Sequence, residues 1–373
     1  MKRLLLVGGG HAHVEVLRRF GPAPVEGVEI VLVSPSRHTA YSGMLPGLIA
    51  GHYSRRDTHI DLERLAHAAR VRFVQDYAVA LDTARRTVAC AQGTHMSYDV
   101  LSLDIGSVPN NGSIEHAERV GFPVKPVDRL LAGVETVVAQ ARRGHLDIAI
   151  VGAGAGGVEL CLALDYRVRR EAGTARFFLL TATSAVLPGY SEAVRRRVLH
   201  ALRQRGITVH VGRHVVAADD HGIVLDDGER ITANPVIWVT GPAPAAWLRN
   251  SGLTLDAEGF VLVNDRLQST SHPDIFAAGD VATMADHPRP KSGVYAVRQG
   301  PPLAANLRCT LRGAPLISFK PQRRALQLIT TGERHAIAAW GGLAFEGRWV
   351  WRWKDWIDRR FIARYRKTSA LSA

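Results

Sequence analysis

The 373-residue sequence predicts an α/β fold of two doubly wound units, and three stretches carry that prediction. An apolar run at 4–7 leads into Gly8-Gly9-Gly10, and another at 148–151, behind Asp147, leads into Gly152-Ala153-Gly154-Ala155-Gly156-Gly157. A third, at 275–278, ends in Gly279-Asp280. Each reads as a buried strand opening into a tight turn, because glycine accepts the backbone angles and close approach that such turns need. After the first two the apolar spacing becomes helical, which makes each a strand–turn–helix unit.

The composition bounds the remaining possibilities. The length suffices for two domains with separate cores, and 46% hydrophobic with 22% charged residues is the balance of a soluble globular chain. A formal charge of +13 points to anionic partners: a dinucleotide, nucleic acid or an acidic membrane surface. The arginines are spread over many predicted helices and no nucleic-acid-binding module is recognisable, so no nucleic acid is expected. Cys90, Cys161 and Cys309 lie far apart with no Cys-x-x-Cys pair, which argues against a disulfide framework and for a reducing compartment. The apolar start is too short for a signal peptide and no run approaches a membrane span, so a cytoplasmic protein is expected, with no metal site.

In the first unit, Gly8 permits the turn and Gly10 lets the backbone at His11 and Ala12 approach a pyrophosphate at the helix's positive end. His13 stands where a third glycine would allow close helix-to-strand packing, so weaker packing is expected there. The next strand, 29–33, should end in an acid that grips a ribose, but Ser34 is present. Arg37 or backbone must then help hold the adenosine half, although Arg37 reads equally well as a solvated loop charge. The second unit has the full G-x-G-x-x-G in Gly152, Gly154 and Gly157, ahead of an apolar helix at 160–168. Both motifs are those of Rossmann-like dinucleotide-binding domains. Glu159 lies one turn in, where a helix dipole alone would favour an acid. The strand at 176–180 ends in Thr181-Ala182-Thr183, with neither the acid that selects NAD nor an arginine pair for an NADP phosphate.

Further elements read as a helix at 61–69, a strand at 71–75, a linker at 110–113, a helix at 127–141 behind Lys125-Pro126, a basic helix at 191–205 and a strand at 208–211. The tail interleaves Trp340, Phe345, Trp349, Trp351, Trp353, Trp356 and Phe361 with Arg348, Arg352, Lys354, Arg359, Arg360, Arg364, Arg366 and Lys367. Trp353, Trp356, Ile357 and Phe361 fall on one helical face.

Together these segments resemble the pyridine nucleotide-disulfide oxidoreductase-like flavoproteins, which carry two dinucleotide-binding domains. Tyr41-Ser42-Gly43-Met44-Leu45-Pro46-Gly47 is similar to the aromatic-x-x-Leu-Leu-Pro segment of type II NADH dehydrogenases and sulfide:quinone reductases. With Val33-Ser34-Pro35 it resembles more closely the flavoprotein domain fused in some bacteria to selenide, water dikinase. The likeness runs from residue 4 to about 365. It implies an FAD domain at 1–115 and 242–315, split by an NAD(P) domain at 116–241, with a C-terminal interface or membrane-contact segment at 316–373.

The resemblance also implies site residues. FAD would be held at Gly8, Gly10, His11, Ala12, Ser34, Arg37, Leu45 and Pro46, with Gly106 and Gly241 where strands return to the flavin domain. Gly279 and Asp280 would hold the ribityl chain, and Ala296 and Val297 would sit at a helix N-terminus facing the flavin's pyrimidine edge. NADH or NADPH would lie on Gly152, Gly154, Gly157, Glu159 and Thr181. Glu159 near the nicotinamide, and Lys125 and Lys291 near the flavin, are the candidate catalytic groups. The implied activity is that of an NADH dehydrogenase-like enzyme, with hydride passing from NAD(P)H to FAD and electrons going on to a small acceptor, a quinone being favoured. A reductase acting on a selenium or sulfur compound and a flavin-binding redox sensor that does not turn over stay open. So do a homodimer and the placing of the tail, either on the cytoplasmic face of the inner membrane or packed on the flavin domain.

Overall fold

The computed structural model describes residues 1–112, 114–173 and 175–370, with side chains through 366. Ser113 of the expected linker and the Lys367 side chain lie outside the described residues.

Two five-stranded parallel sheets organise the chain. The first runs Ile275–Ala277, Val100–Leu103, Lys2–Val7, Val28–Ser34, Arg72–Gln75, every neighbour parallel. The second runs Phe122–Pro123, Val236–Trp238, Leu146–Val151, Ala175–Thr181, Thr208–Val211, again all parallel. Parallel strands are covered on both faces, so they read as unbroken apolar runs: Leu4, Leu5 and Leu6 are all fully buried. A strand from residue 275 onward thus completes a sheet begun at residue 2, and the second sheet is inserted between them. The two crossings lie side by side, Val108–Pro109 pairing antiparallel with Pro242–Ala243.

Helix boundaries follow local chemistry. Leu62–Ala68 starts behind Asp61, whose carboxylate accepts from the Arg64 N–H at 2.9 Å, and Gly293–Arg312 ends at Gly313 in the left-handed conformation. The expected helices at 127–141 and 191–205 appear as Val127–Ala141 and Glu192–Gln204.

His13 does not loosen the first unit. It is fully buried, with Nδ1 2.7 Å from the Gly8 carbonyl oxygen and Nε2 2.8 Å from Ser102 Oγ. Burial holds its pKa down at about 4, so the ring is neutral, donating from Nδ1 and accepting at Nε2. Imidazole fills the room that a glycine would have closed and ties the turn to the neighbouring strand.

The tail forms an antiparallel sheet, Gln327–Thr330, Ala336–Trp340, Leu343–Gly347, followed by the helix Arg348–Ala370. That helix does not present the expected apolar face as one surface. Val350, Lys354, Asp358, Phe361, Ile362 and Tyr365 are buried, whereas Trp349, Trp353 and Trp356 are exposed. Two charged residues on the buried side broke the apolar spacing by which that side would have been recognised.

Candidate dinucleotide and electron-transfer site

The second turn shows how its three glycines divide the work. Gly152 has φ +119°, and a Cβ there would collide with the Val239 carbonyl oxygen. A Cβ on Gly157 would collide with the carbonyl oxygen of Gly152 itself, so the helix Ala155–Glu171 is seated directly on the turn. Gly154, the N-cap between them, faces open space with nothing within 4 Å of a Cβ. An opening at a helix N-terminus, where partial positive charge collects, is the shape and polarity that a diphosphate requires.

The first turn is closed by a group that the sequence reading missed. Asp104 follows the strand Val100–Leu103. Its Oδ2 accepts from the Ala12 N–H at 2.8 Å and the His13 N–H at 2.9 Å, and a Cβ on Gly279 would lie 2.6 Å from Oδ1. One carboxyl group therefore joins the first turn to the Gly279-Asp280 segment. Burial pushes it up to about 7 against the pull of the two N–H bonds, and Asp280 adds repulsion.

Asp280 is the centre of a second cluster. Lys125 Nζ lies 3.1 Å from its Oδ2 and 2.9 Å from Ser107 Oγ, which also approaches the carboxylate at 3.3 Å. His11, the first residue of its helix, lies within electrostatic reach of both Asp280 and Lys125, and its Nε2 is buried without a hydrogen-bond partner. Burial lowers its pKa to about 4. The carboxylate able to bond a sugar hydroxyl, the orphaned imidazole nitrogen and the unobstructed Gly106 and Gly241 fit a flavin dinucleotide laid across these residues.

The other expected residues fall into place unequally. Ser34 ends the second strand beside Gly9, but its hydroxyl donates to the Ser36 carbonyl at 3.0 Å. Arg37 is exposed, 3.1 Å from Gln75 Oε1 and 3.5 Å from Glu63. Ala296 packs against Gly279 in the helix Gly293–Arg312, with Val297 beside it. Lys291 is anchored on the segment that follows Asp280. Its ammonium donates to the Ala282 carbonyl at 2.6 Å and to Thr283 Oγ1 at 2.7 Å, and lies 4.0 Å from the Phe260 ring centre. Burial lowers it to about 8.

Leu45 and Pro46 begin the short helix Leu45–Ile49, and Leu45, Ile49 and Ala50 pack into the core of the second unit. The segment therefore bridges the two units. Glu159, from the helix behind the second turn, accepts from the Thr330 N–H at 2.8 Å and its hydroxyl at 2.9 Å. Lys354 of the tail helix donates to Asp358 at 2.6 Å and to the Gly43 carbonyl. Burial raises both Glu159 and Asp358, with Lys354 pulling each back. Tyr41 stacks on Phe361 at 4.3 Å, so the tail helix closes this side of the site.

Two glycine turns of the dinucleotide-binding kind, on two units tied together by one segment, define a dinucleotide-dependent oxidoreductase. The chain belongs to the pyridine nucleotide-disulphide oxidoreductase family, whose sequence pattern matches residues 2–300. It is 22% identical to a type II NADH:quinone oxidoreductase of Staphylococcus saprophyticus, covering 97% of this chain and 95% of that one. Among solved structures, NDH2 of Plasmodium falciparum in complex with NADH is 14% identical with a TM-score of 0.83 over 100% of this chain and 97% of that chain. The sulfide:quinone oxidoreductase of Aquifex aeolicus is 18% identical with a TM-score of 0.82 over 99% and 92%.

Proposed function

We propose that the chain is an FAD-dependent NAD(P)H dehydrogenase that delivers electrons to a quinone. The observation that carries this is the pair of glycine turns, one in each of two units that the segment containing Leu45 and Pro46 ties together. Its division would be an FAD domain at 1–115 and 242–315, an NAD(P) domain at 116–241 and a tail at 316–373. The near full-length match to a type II NADH:quinone oxidoreductase supports the acceptor. A dithiol acceptor within the chain is not supported: all three cysteines are free, Cys90 and Cys161 are buried, and burial pushes both thiols up.

FAD, when bound, supplies the two-electron chemistry. The protein's part is placement. Asp280 and the His11 ring grip one cofactor, Gly154 opens the helix end for the other, and Leu45 and Pro46 exclude water between them. Lys125 sets positive charge beside Asp280, and Glu159 with Lys354 and Asp358 forms a charged cluster able to hold a proton on the acceptor side.

Adding NADH or NADPH to the flavin-loaded protein without oxygen should bleach the absorbance at roughly 450 nm, and a quinone should restore it. A yellow protein that neither nucleotide bleaches would sink this reading. Glu159→Gln should slow bleaching about tenfold or more in stopped-flow, with FAD content retained.

The exposed Trp340, Leu343, Phe345, Trp349, Trp353 and Trp356 form an aromatic surface edged by Arg348, Arg352 and Arg360. No helix among the described residues is long and apolar enough to cross a membrane. We read this surface as a peripheral contact with acidic lipid. Vesicles with about a third anionic lipid should bind the protein, and Trp353→Ser with Trp356→Ser should weaken binding about tenfold. Equal binding by the double variant would remove the surface from consideration.

A further inference from the structure

We propose that the nicotinamide site accepts NADH and NADPH with similar affinity, and that Arg213, held by Asp227 and Glu229, is the residue that keeps the balance. The proposal rests on the hydride-donor reading above and adds the basis of nucleotide choice.

In a doubly wound unit the adenosine ribose lies at the end of the strand after the glycine-turn helix, here Ala175–Thr181. A carboxylate at that point accepts from ribose hydroxyls and repels a 2′-phosphate, while a free arginine attracts the phosphate. This chain presents neither. Thr183 Oγ1 donates to the Ala185 carbonyl at 2.8 Å, so in the 2.8 Å bond between the two hydroxyls Thr181 is the donor. The Thr181 oxygen also accepts from the Thr183 N–H at 3.3 Å and retains a lone pair for a ribose hydroxyl. The group is neutral, so it does not repel a phosphate.

Arg213 lies against the same strand end. Its N–H donates to the Thr181 carbonyl at 3.1 Å, beside the Gly212 N–H bond to Thr183 at 2.8 Å. Its guanidinium is already paired, with Asp227 and, at 2.5 Å, with Glu229. These three charges sum to −1, so the cation that a 2′-phosphate would need is compensated. No free cation attracts the phosphate, and the residual negative charge sits on half-exposed carboxylates where solvent screens it, so near parity follows.

The test uses the flavin-loaded protein and two ligands that cannot be turned over: ADP-ribose and its 2′-phosphorylated form, titrated by calorimetry. Their dissociation constants should agree within about tenfold. Asp227→Asn with Glu229→Gln frees the guanidinium and should shift the ratio toward the phosphorylated ligand by about tenfold or more. Thr181→Asp, which restores the missing acid, should disfavour the phosphorylated ligand by about a hundredfold. A wild-type ratio beyond tenfold in either direction, or a ratio unmoved by freeing Arg213, overturns the proposal. If neither ligand binds while FAD remains in place, the hydride-donor reading falls first and this proposal falls with it.

Discussion

Gly157→Ala should give a yellow protein that reduced nicotinamides no longer bleach. The added methyl would land on the Gly152 carbonyl oxygen, a backbone atom that cannot step aside. Gly152 is itself held against the Val239 carbonyl, so the turn cannot retreat as a whole. Relief must come from tilting the helix Ala155–Glu171, which misaims the N–H groups at its start and moves Glu159 away from Thr330. Overpacking of this kind costs about 1–3 kcal/mol of local stability. The loss in ADP-ribose affinity should be at least about a hundredfold, since a diphosphate needs several of those N–H groups at once. The flavin should stay, because its turn belongs to the other sheet. Gly156→Ala is the control: the nearest atom to its Cβ is 3.8 Å away, and alanine is the better helix former. Absorbance spectra with calorimetry decide the matter, and equal behaviour of the two variants would refute the packing argument.

The sequence made the second unit almost fully legible, because its strand, its three glycines and its helix are local and each glycine has a separate steric reason. The first unit was legible as a strand and turn, but not in what completes it. His13 looked like a defect, and its remedy, Ser102, stands 89 positions away. Asp104 was hidden for a related reason: nothing in the run Val100–Leu103 announces that the next residue turns back to bond two N–H groups of another helix. Lys125 and Asp280 are 155 positions apart, and only the family resemblance put them near one cofactor. In the tail, periodicity found the helix but assigned its faces wrongly. Lys354 and Asp358 are buried because each satisfies the other, and pairing of that kind defeats a reading based on apolar spacing. Thr181 and Arg213 show the limit from the other side. The missing acid was visible in sequence, but the state of the nearby cation depended on a hairpin that brings Asp227 and Glu229 onto it.

Asp104 carries the other large effect, and it is one of pH. A carboxyl group ordinarily titrates near 3.8, whereas this one does so at about 7 when folded. Between those values the folded chain keeps a proton that the unfolded chain releases. Stability from this group is therefore greatest below about pH 4, declines as pH rises toward 7, and levels off above it. The full excursion is of the order of 4 kcal/mol. Asp104→Asn cannot ionise, so denaturant unfolding of the flavin-free protein should lose that slope between pH 5 and 8, apart from what other groups contribute. Flavin affinity should follow the same proton. On the proposed reading the diphosphate of FAD lies at the N-terminus of the helix His11–Phe20, where the Asp104 carboxyl already receives two N–H bonds. An ionised Asp104 repels it and a protonated one does not, so binding takes up a proton and weakens as pH rises. Quenching of flavin fluorescence should report about tenfold weaker binding at pH 8 than at pH 6 in the wild type, and little change in Asp104→Asn. If the variant keeps the wild-type slope, the proton resides elsewhere.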